Sequence, residues 1–563
     1  MPSQPLAAAV SRWTLTALCL LALLALVLRT AGLAATGVGG NDTILYYTLA
    51  EYWLDGKPVF RIGSSTEVYR PVLLAYNALA LQVFGHTDYA IKLANTVIDS
   101  LNVLMVAALA WGMSRRWSVA LASALAYTLL PLAVWASRHE LPHTLSTFFV
   151  LSAMLSAWLA VDGGARPRLL SGAAGMMLAS ATLTHEELVF MALPVGLLLL
   201  LLPRLAGRED SLRDAAWRLG VFALPPGIAA LVLLWHGSAA AEVLAAPVAL
   251  VGAGRFYPEV LARFFWNGLS GAGSMVFLAL VALGLLVFGW KVLADRGKRA
   301  RRYCLVYLCC TGSFLLFLAL YALFFNTMFV RGLLPLVPLL LIAIFYSVVL
   351  LCERLGSAAS SLLALALAVC LGISNLGAYS AFKVGNRDYS SQWDVPAVPD
   401  RQSWMKGYRG FRYDAAYEPS YYTHWANVHS ALEGRVNEHN RLLLLPSTVI
   451  HSPGRRPLQT RVYFGDNVIY RLDHSGQPLA QLIRQKRVRY VLFTLGQRRR
   501  LPANHSRYLY GGRWAAPAPL DLARDYGMEN YSDDAELRQL MEVLTALGAR
   551  PLALFQPGTY EAQ

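Results

Sequence analysis

Charge is scarce in this sequence: 15% of 563 residues, against roughly a quarter in soluble domains. That excludes an ordinary soluble enzyme, and 56% hydrophobic residues exclude a disordered chain. Acidic residues are scarcer than basic ones, 34 Asp+Glu against 49 Lys+Arg, leaving a formal net charge of +15. In a soluble protein this excess would raise nucleic acid as a partner. With a mean hydropathy of +0.44 it is assigned first to basic loops and anionic head groups, so no nucleic-acid partner is expected. Cysteines are few: Cys19, Cys304, Cys309, Cys310, Cys352 and Cys370, all in apolar segments and none at metal-ligand spacing. No disulfide framework follows from them.

What the sequence has is long apolar runs. Eleven reach membrane length, near 13–35, 88–112, 117–136, 144–161, 169–184, 188–203, 218–236, 271–290, 303–325, 331–352 and 357–380. The first lacks a small-residue cleavage site and reads as a signal anchor. Arg115 and Arg116, Arg166 and Arg168, Arg204 to Arg218, Lys291 to Arg302, and Arg354 fall in alternate short loops and mark the cytoplasmic side. The N-terminus is then cytoplasmic, and the remaining loops, with everything after the eleventh span, lie outside. Beyond residue 384 no membrane-length run recurs. Arg441 to Pro446 reads as a strand after a helical stretch near 421–438, and Leu479 to Lys486 as a helix entering a strand from Val488 to Thr494. The expected organisation is a membrane domain over 1–384 and an extracytoplasmic α/β domain over 385–563.

The large outer loop, 36–87, carries the most chemistry. Asp42 follows the first span, where a carboxylate caps, pairs or works. A cap for a helix starting at Thr43 and a catalytic role are equally supported by spacing. Tyr46 lies within that helical stretch, and Glu67 and Tyr69 precede Arg70-Pro71, which opens a second amphipathic stretch from Val72 to Phe84. The two stretches read as interfacial helices covering a cavity. The Arg70 guanidinium suits a phosphate because its fork gives two parallel charged hydrogen bonds; snorkelling to head groups is the competing role. Arg331, at the head of the tenth span before Pro335 and Pro338, has the same two readings.

Arg138-His139-Glu140-Leu-Pro-His143 contains the zinc-protease pattern H-E-x-x-H. That chemistry needs both histidines on one continuous helix, and Pro142 lies between them. An intramembrane metalloprotease is therefore disfavoured. His185-Glu186-Glu187 forms another outer turn that could hold a cation or a polar acceptor, or simply be a solvated loop.

Taken together, an Asp after the first span, a two-helix outer loop, a basic-Pro pair and Phe84-Gly85 before the second span resemble the C-type (GT-C fold) membrane glycosyltransferases. The similarity is to family 39, the protein O-mannosyltransferase and lipid A aminoarabinose transferase group. Ser137-Arg138 through Phe149 resembles that group's second signature, and Arg331-Gly-Leu-Leu-Pro335-Leu-Val-Pro338 its "RYLLPLLP" segment. The departures are Asp42-Thr43 where Asp-Glu is usual, His143 in place of the second-site Asp, Arg70 for Lys, and Gly332 for Tyr. The resemblance implies a polytopic α-helical fold and a polyprenyl-phosphate sugar donor of undecaprenyl or decaprenyl type. It implies transfer of a hexosyl or pentosyl group, with inversion, to a protein, lipid A or glycan at the outer face of a bacterial inner membrane. Asp42 would be the base, Arg70, Arg331 and Arg138 the phosphate ligands, and Tyr46, Glu67, Tyr69, His139, Glu140, His143, His185 and Glu186 the donor or acceptor site. No cofactor is required; a divalent cation, were one bound, belongs at His143 with Asp42. A lipid-linked glycan transporter is the other alternative, and no internal repeat supports it.

The loop pattern makes a direct prediction. Reporters fused after residues 163 and 384 should report opposite sides of the membrane, and identical sidedness would overturn the topology.

Overall fold

The computed structural model describes residues 12–31, 41–56, 70–162, 166–205, 211–235, 275–324 and 330–380, apart from isolated positions. Further on it describes chiefly 434–444, 467–470, 476–495, 506–511 and 550–555. The expected start of the outer domain at 385 and most of the 421–438 stretch lie outside these residues.

The protein is a polytopic α-helical membrane protein with a small mixed sheet near its C-terminus. Its helices are α1 (Arg12–Thr30), α2 (Asn41–Leu54), α3 (Pro71–Phe84), α4 (Ala90–Ser114), α5 (Trp117–Thr128), α6 (Pro131–Ser137) and α7 (His143–Val161). There follow α8 (Pro167–Thr184), α9 (Ala192–Leu205), α10 (Leu212–Trp235), α11 (Met275–Ala294), α12 (Lys298–Phe324), α13 (Val337–Leu351) and α14 (Ser357–Ser380). Six stretches within them are long and apolar enough to cross a membrane: Arg12–Thr30, Ala90–Ser114, His143–Val161, Leu212–Val232, Arg299–Leu320 and Gly332–Leu351. The other five expected spans are helical but shorter, broken or less apolar. Pro131 splits the 117–136 run into α5 and α6, because its ring cannot continue the preceding helix. The 188–203 run is divided between a 3-10 turn, Glu186–Met191, and α9.

Helix α13 is apolar all round and buried from Val337 to Leu350, which makes it the central rod of the bundle. Helix α1 is peripheral, with Leu15, Leu20, Leu23 and Val27 exposed as a face for lipid. Helix α8 lies tightly against α10, where a Cβ on Gly175 would lie 2.3 Å from the Phe222 carbonyl oxygen.

Ion pairs sort the loops into two ends. At one end Asp162 takes Arg115 at 2.7 Å and Arg302 at 3.1 Å, while Glu353 takes Arg116, and Arg299 at 3.7 Å. Arg168 reaches Asp214 at 3.6 Å, joining two more of the basic loops. These are the loops that the Lys/Arg pattern groups on one side.

The opposite half of the bundle holds a charge network inside the apolar layer. Arg29 Nε donates to Asp99 Oδ2 at 2.5 Å, and both side chains are fully buried. The Tyr127 hydroxyl and the Asn102 amide donate to Asp99 Oδ1 at 2.6 and 3.1 Å, and the same Asn102 amide reaches the Thr144 carbonyl at 3.1 Å. Arg138 Nη1 donates to the carbonyls of Arg29 and Ala31, each at 2.7 Å. It thereby satisfies acceptors that α1 leaves open at its C-terminus. One network thus ties α1, α4, α5, α7 and the turn after α6.

Beyond the membrane helices, β1 (Arg441–Leu444), β2 (Val468–Tyr470), β3 (Val488–Leu495), β4 (Ser506–Gly511) and β5 (Arg550–Phe555) form one sheet in the order β2-β1-β3-β4-β5. The first three pair in parallel and the last two antiparallel, with a short helix, α15 (Leu479–Gln485), leading into β3. Both elements expected near 441 and 479–494 are present.

Asp99→Leu strands the Arg29 charge in an apolar environment. The expected loss is about 3–5 kcal/mol, largely recovered in Arg29→Met/Asp99→Leu, as read from unfolding in lipid nanodiscs.

Candidate active site

Local sequence explains how the site is assembled. Pro71 opens α3, its fixed φ suiting the first helical position, and it keeps Arg70, at φ −130° and ψ 69°, out of the helical region just before the helix. His185 ends α8 in an extended conformation and turns the chain into the 3-10 segment that begins with Glu186. Helix α2 packs on α3, and α3 on α4 and α8, through Tyr47, Ala50, Ala78, Leu81, Ile91 and Ala94. Small residues on these faces let the two short helices lie close to the spans.

The result is a compact polar cluster. Arg70 donates from Nε to Glu186 Oε2 at 2.8 Å and from Nη2 to Oε1 at 2.7 Å, a side-on bidentate pair. Its Nη1 donates to the Tyr46 hydroxyl, and its guanidinium lies 5.3 Å from the Tyr46 ring centroid. The side chains of Arg70 and Glu186 are only 12% and 19% exposed. Burial pushes the Glu186 carboxyl up, but the Arg70 charge and its hydrogen bonds outweigh that and hold it at about 2. For Arg70, burial disfavours the charge; Glu186 and Tyr46 more than compensate and keep it protonated. Next to this cluster His185 Nδ1 lies 3.3 Å from Glu187 Oε2, and the His185 ring sits 5.1 Å from that of His143 at the head of α7.

Tyr46, Arg70, Glu186, His185 and His143 therefore come together from four separate stretches of chain. Position 42 stands in the first turn of α2, one helical turn from Tyr46. The helix begins at Asn41, two residues earlier than the expected Thr43, so position 42 falls within its first turn. Arg331 lies in a 3-10 turn, Val330–Leu336, packed against α7. Glu67 and Tyr69 fall outside the described residues.

Three other candidates point elsewhere. Arg138 is 1% exposed and bonded to the α1 carbonyls. His139 Nδ1 donates to the Trp135 carbonyl at 2.7 Å, with its ring 4.2 Å from the Trp135 ring. Glu140 is buried 3.8 Å from Lys92 Nζ. The zinc-protease alternative fails here on geometry: α6 ends at Ser137 and α7 starts at His143, so the two histidines share no helix. Among the described residues no group of three His, Cys, Asp or Glu side chains is placed to hold a metal ion.

Sequence reading passed over Arg29, Lys92, Asn95 and Asp99. Asn95 accepts from the Tyr76 hydroxyl at 3.0 Å and donates to the His139 carbonyl at 2.7 Å, connecting α3 to the turn after α6. The available signal was the 3-4-3 spacing of Lys92, Asn95, Asp99 and Asn102, a polar stripe down one face of an otherwise apolar helix.

Neither a family model nor a curated protein sequence matches the chain. Among solved structures it is similar to the oligosaccharyltransferase AglB from Archaeoglobus fulgidus in complex with an inhibitory peptide and a dolichol-phosphate. The TM-score is 0.42 and identity 14%, over 86% of this chain and 69% of that one. It is also similar to ArnT from Cupriavidus metallidurans bound to undecaprenyl phosphate, with TM-score 0.44 and 12% identity over 84% and 92% of the two chains. A third is the arabinofuranosyltransferase AftD from Mycobacteria, with TM-score 0.41 and 16% identity over 86% and 37%. These neighbours are GT-C fold glycosyltransferases, the group the sequence resembles.

The ion pair makes the site acid-sensitive with a defined sign. Glu186 is held at about 2 against an ordinary 4.5, so the stability it contributes is complete above pH 4.5 and lost as pH falls toward 2. The difference in unfolding midpoint between the wild type and Glu186→Gln should stay constant from pH 7 to 4.5 and shrink below that. A difference that does not change with pH would contradict the pairing.

Proposed function

We propose that the chain is a membrane glycosyltransferase that takes a hexosyl or pentosyl group from a polyprenyl-phosphate donor and passes it, with inversion, to an acceptor outside the cytoplasm. The observation that carries this reading is the partly buried Arg70 fork beside Tyr46, one helical turn from Asp42. A carboxylate and a guanidinium at one end of an apolar bundle supply the two groups that displacement at a sugar C1 needs. Asp42 accepts the proton of the attacking hydroxyl or amine. The sugar passes through oxocarbenium-like character as the bond to phosphate breaks. Charge gathers on the departing phosphate, and Arg70, with Arg331, stabilises it where water is largely excluded. His143 and His185 face one another beside this point and shape the sugar or acceptor pocket.

Arg138 takes a different part in this proposal from the one its sequence position suggests. Bonded to the end of α1, it fixes where the chain departs toward Asp42 rather than touching phosphate. No metal is required, because a monophosphate leaving group is balanced by arginines alone. The acceptor is a protein, lipid A or another glycan, and the donor lipid is of undecaprenyl or decaprenyl length. The setting is a bacterial inner membrane, with the N-terminus cytoplasmic and the C-terminal sheet domain on the periplasmic side.

Asp42→Asn should abolish transfer in membrane vesicles supplied with short-chain polyprenyl-phosphate sugars while the protein remains inserted. Arg70→Gln should raise the donor KM about tenfold or more, the scale of a lost charge-assisted pair. Full activity in Asp42→Asn would sink the mechanism.

A further inference from the structure

The fork assigned to phosphate is already occupied by an acid of the chain itself. Glu186 presents two oxygens to Arg70 Nε and Nη2 at 2.8 and 2.7 Å, the same bidentate pattern a phosphate uses. Tyr46 takes Nη1, so among the described residues three of the five N–H bonds are engaged. We propose that Glu186 is an internal stand-in anion, holding the Arg70 fork in the empty protein and giving it up to the phosphate of a lipid-linked ligand.

Charge balance argues for exchange over joint occupancy. The turn carries two adjacent carboxylates, Glu186 and Glu187, and Glu187 is already close to His185. Adding a phosphate while Glu186 stays in place would set three anions around one guanidinium in a partly buried site. Like charges that close disfavour one another strongly when water is limited. Exchange leaves the Arg70 cation facing the ligand, with Arg331 as the second arginine of the proposed site, and releases Glu186 toward solvent, for which its 19% exposure provides an opening.

The local backbone suits such a motion. Glu186 starts a six-residue 3-10 segment rather than an α-helix, and its hydrogen bonding is poorer than that of the helices on either side. The Glu186 side chain can leave without breaking α8 or α9. By contrast Arg70 precedes Pro71 and the rigid start of α3, so the cation stays in position while its partner changes. Glu186 then sets the affinity threshold. The fork accepts only an anion that binds better than an intramolecular carboxylate, which rejects carboxylated lipids and fatty acids in favour of phosphate.

This inference rests on the reading of Arg70 as a phosphate ligand, and the experiment separates the two. The full chain in lipid nanodiscs is titrated with farnesyl phosphate, with farnesol as the neutral control. The expected result is binding of the phosphate only, its loss in Arg70→Gln, and tightening of about tenfold in Glu186→Gln as the competing anion is removed. Glu186→Asp keeps the charge but shortens the reach, and it should also tighten binding. Weaker or unchanged binding in both Glu186 variants, with Arg70→Gln still inactive, would make Glu186 a strut and overturn the exchange alone. Equal binding by wild type and Arg70→Gln would overturn the phosphate reading, and the exchange with it.

Discussion

A charge inside an apolar layer must find its opposite, and the Arg29–Asp99 pair is where this protein meets that demand. Without Asp99 the end of α1 could not be drawn into the bundle, because a lone guanidinium there would seek the membrane surface. With it, α1 is fixed to α4, and Tyr127 and Asn102 complete the carboxylate's hydrogen bonds. The carboxylate is fully engaged, whereas among the described residues Arg29 Nη2 and Asn102 Oδ1 are buried without a hydrogen-bond partner, so the network holds α1 in place at a cost in desolvation. Arg138 then closes on the α1 carbonyls and sets the point from which the loop toward α2 departs.

From that fixed point the site is assembled by helix interruptions. Pro71, Pro131 and Pro142 each stop or start a helix at the same end of the bundle. Every interruption frees backbone polar groups and lets short polar segments replace apolar ones. Arg70, Glu186, His185 and His143 all stand at such junctions, where a break in the helix gives a polar side chain its place. The Arg–Asp and Arg–Glu pairs at the other end act as a counterpart, holding four loops together.

Much of the fold was legible because hydropathy and charge sidedness are long-range signals summed over many residues. Apolar runs marked every spanning helix, and α2 and α3 were readable from an amphipathic pattern bounded by Gly85 and Pro71. The strand and helix near 441 and 479–494 followed from local periodicity. Individual site residues were less legible. Arg70, Tyr46 and Glu186 were each singled out, yet nothing in a one-dimensional pattern places residue 186 against residue 70. Arg138 shows the converse: a motif-like position suggested a ligand contact, but the open carbonyls of α1 lie closer. Asp99 and Lys92 escaped notice because a window average over twenty residues conceals two charges among apolar neighbours.

The burial of α13 from Val337 to Leu350 has a consequence for how the chain is made. It lies in the most apolar stretch of the six, Gly332–Leu351 at a mean hydropathy of 2.6, and so inserts on its own merits; in the finished bundle all of it but Leu351 is buried in protein. It is also synthesised late, after its neighbours α4, α5, α11 and α12 and before α14, which packs against it last. Those helices enter the bilayer first and must leave a slot along the axis, filled meanwhile by lipid tails. Assembly of the core is therefore a post-insertional event: the bundle closes only when α13 displaces those tails. A chain ending before residue 337 would leave α4, α5, α11 and α12 without the apolar surface they share in α13.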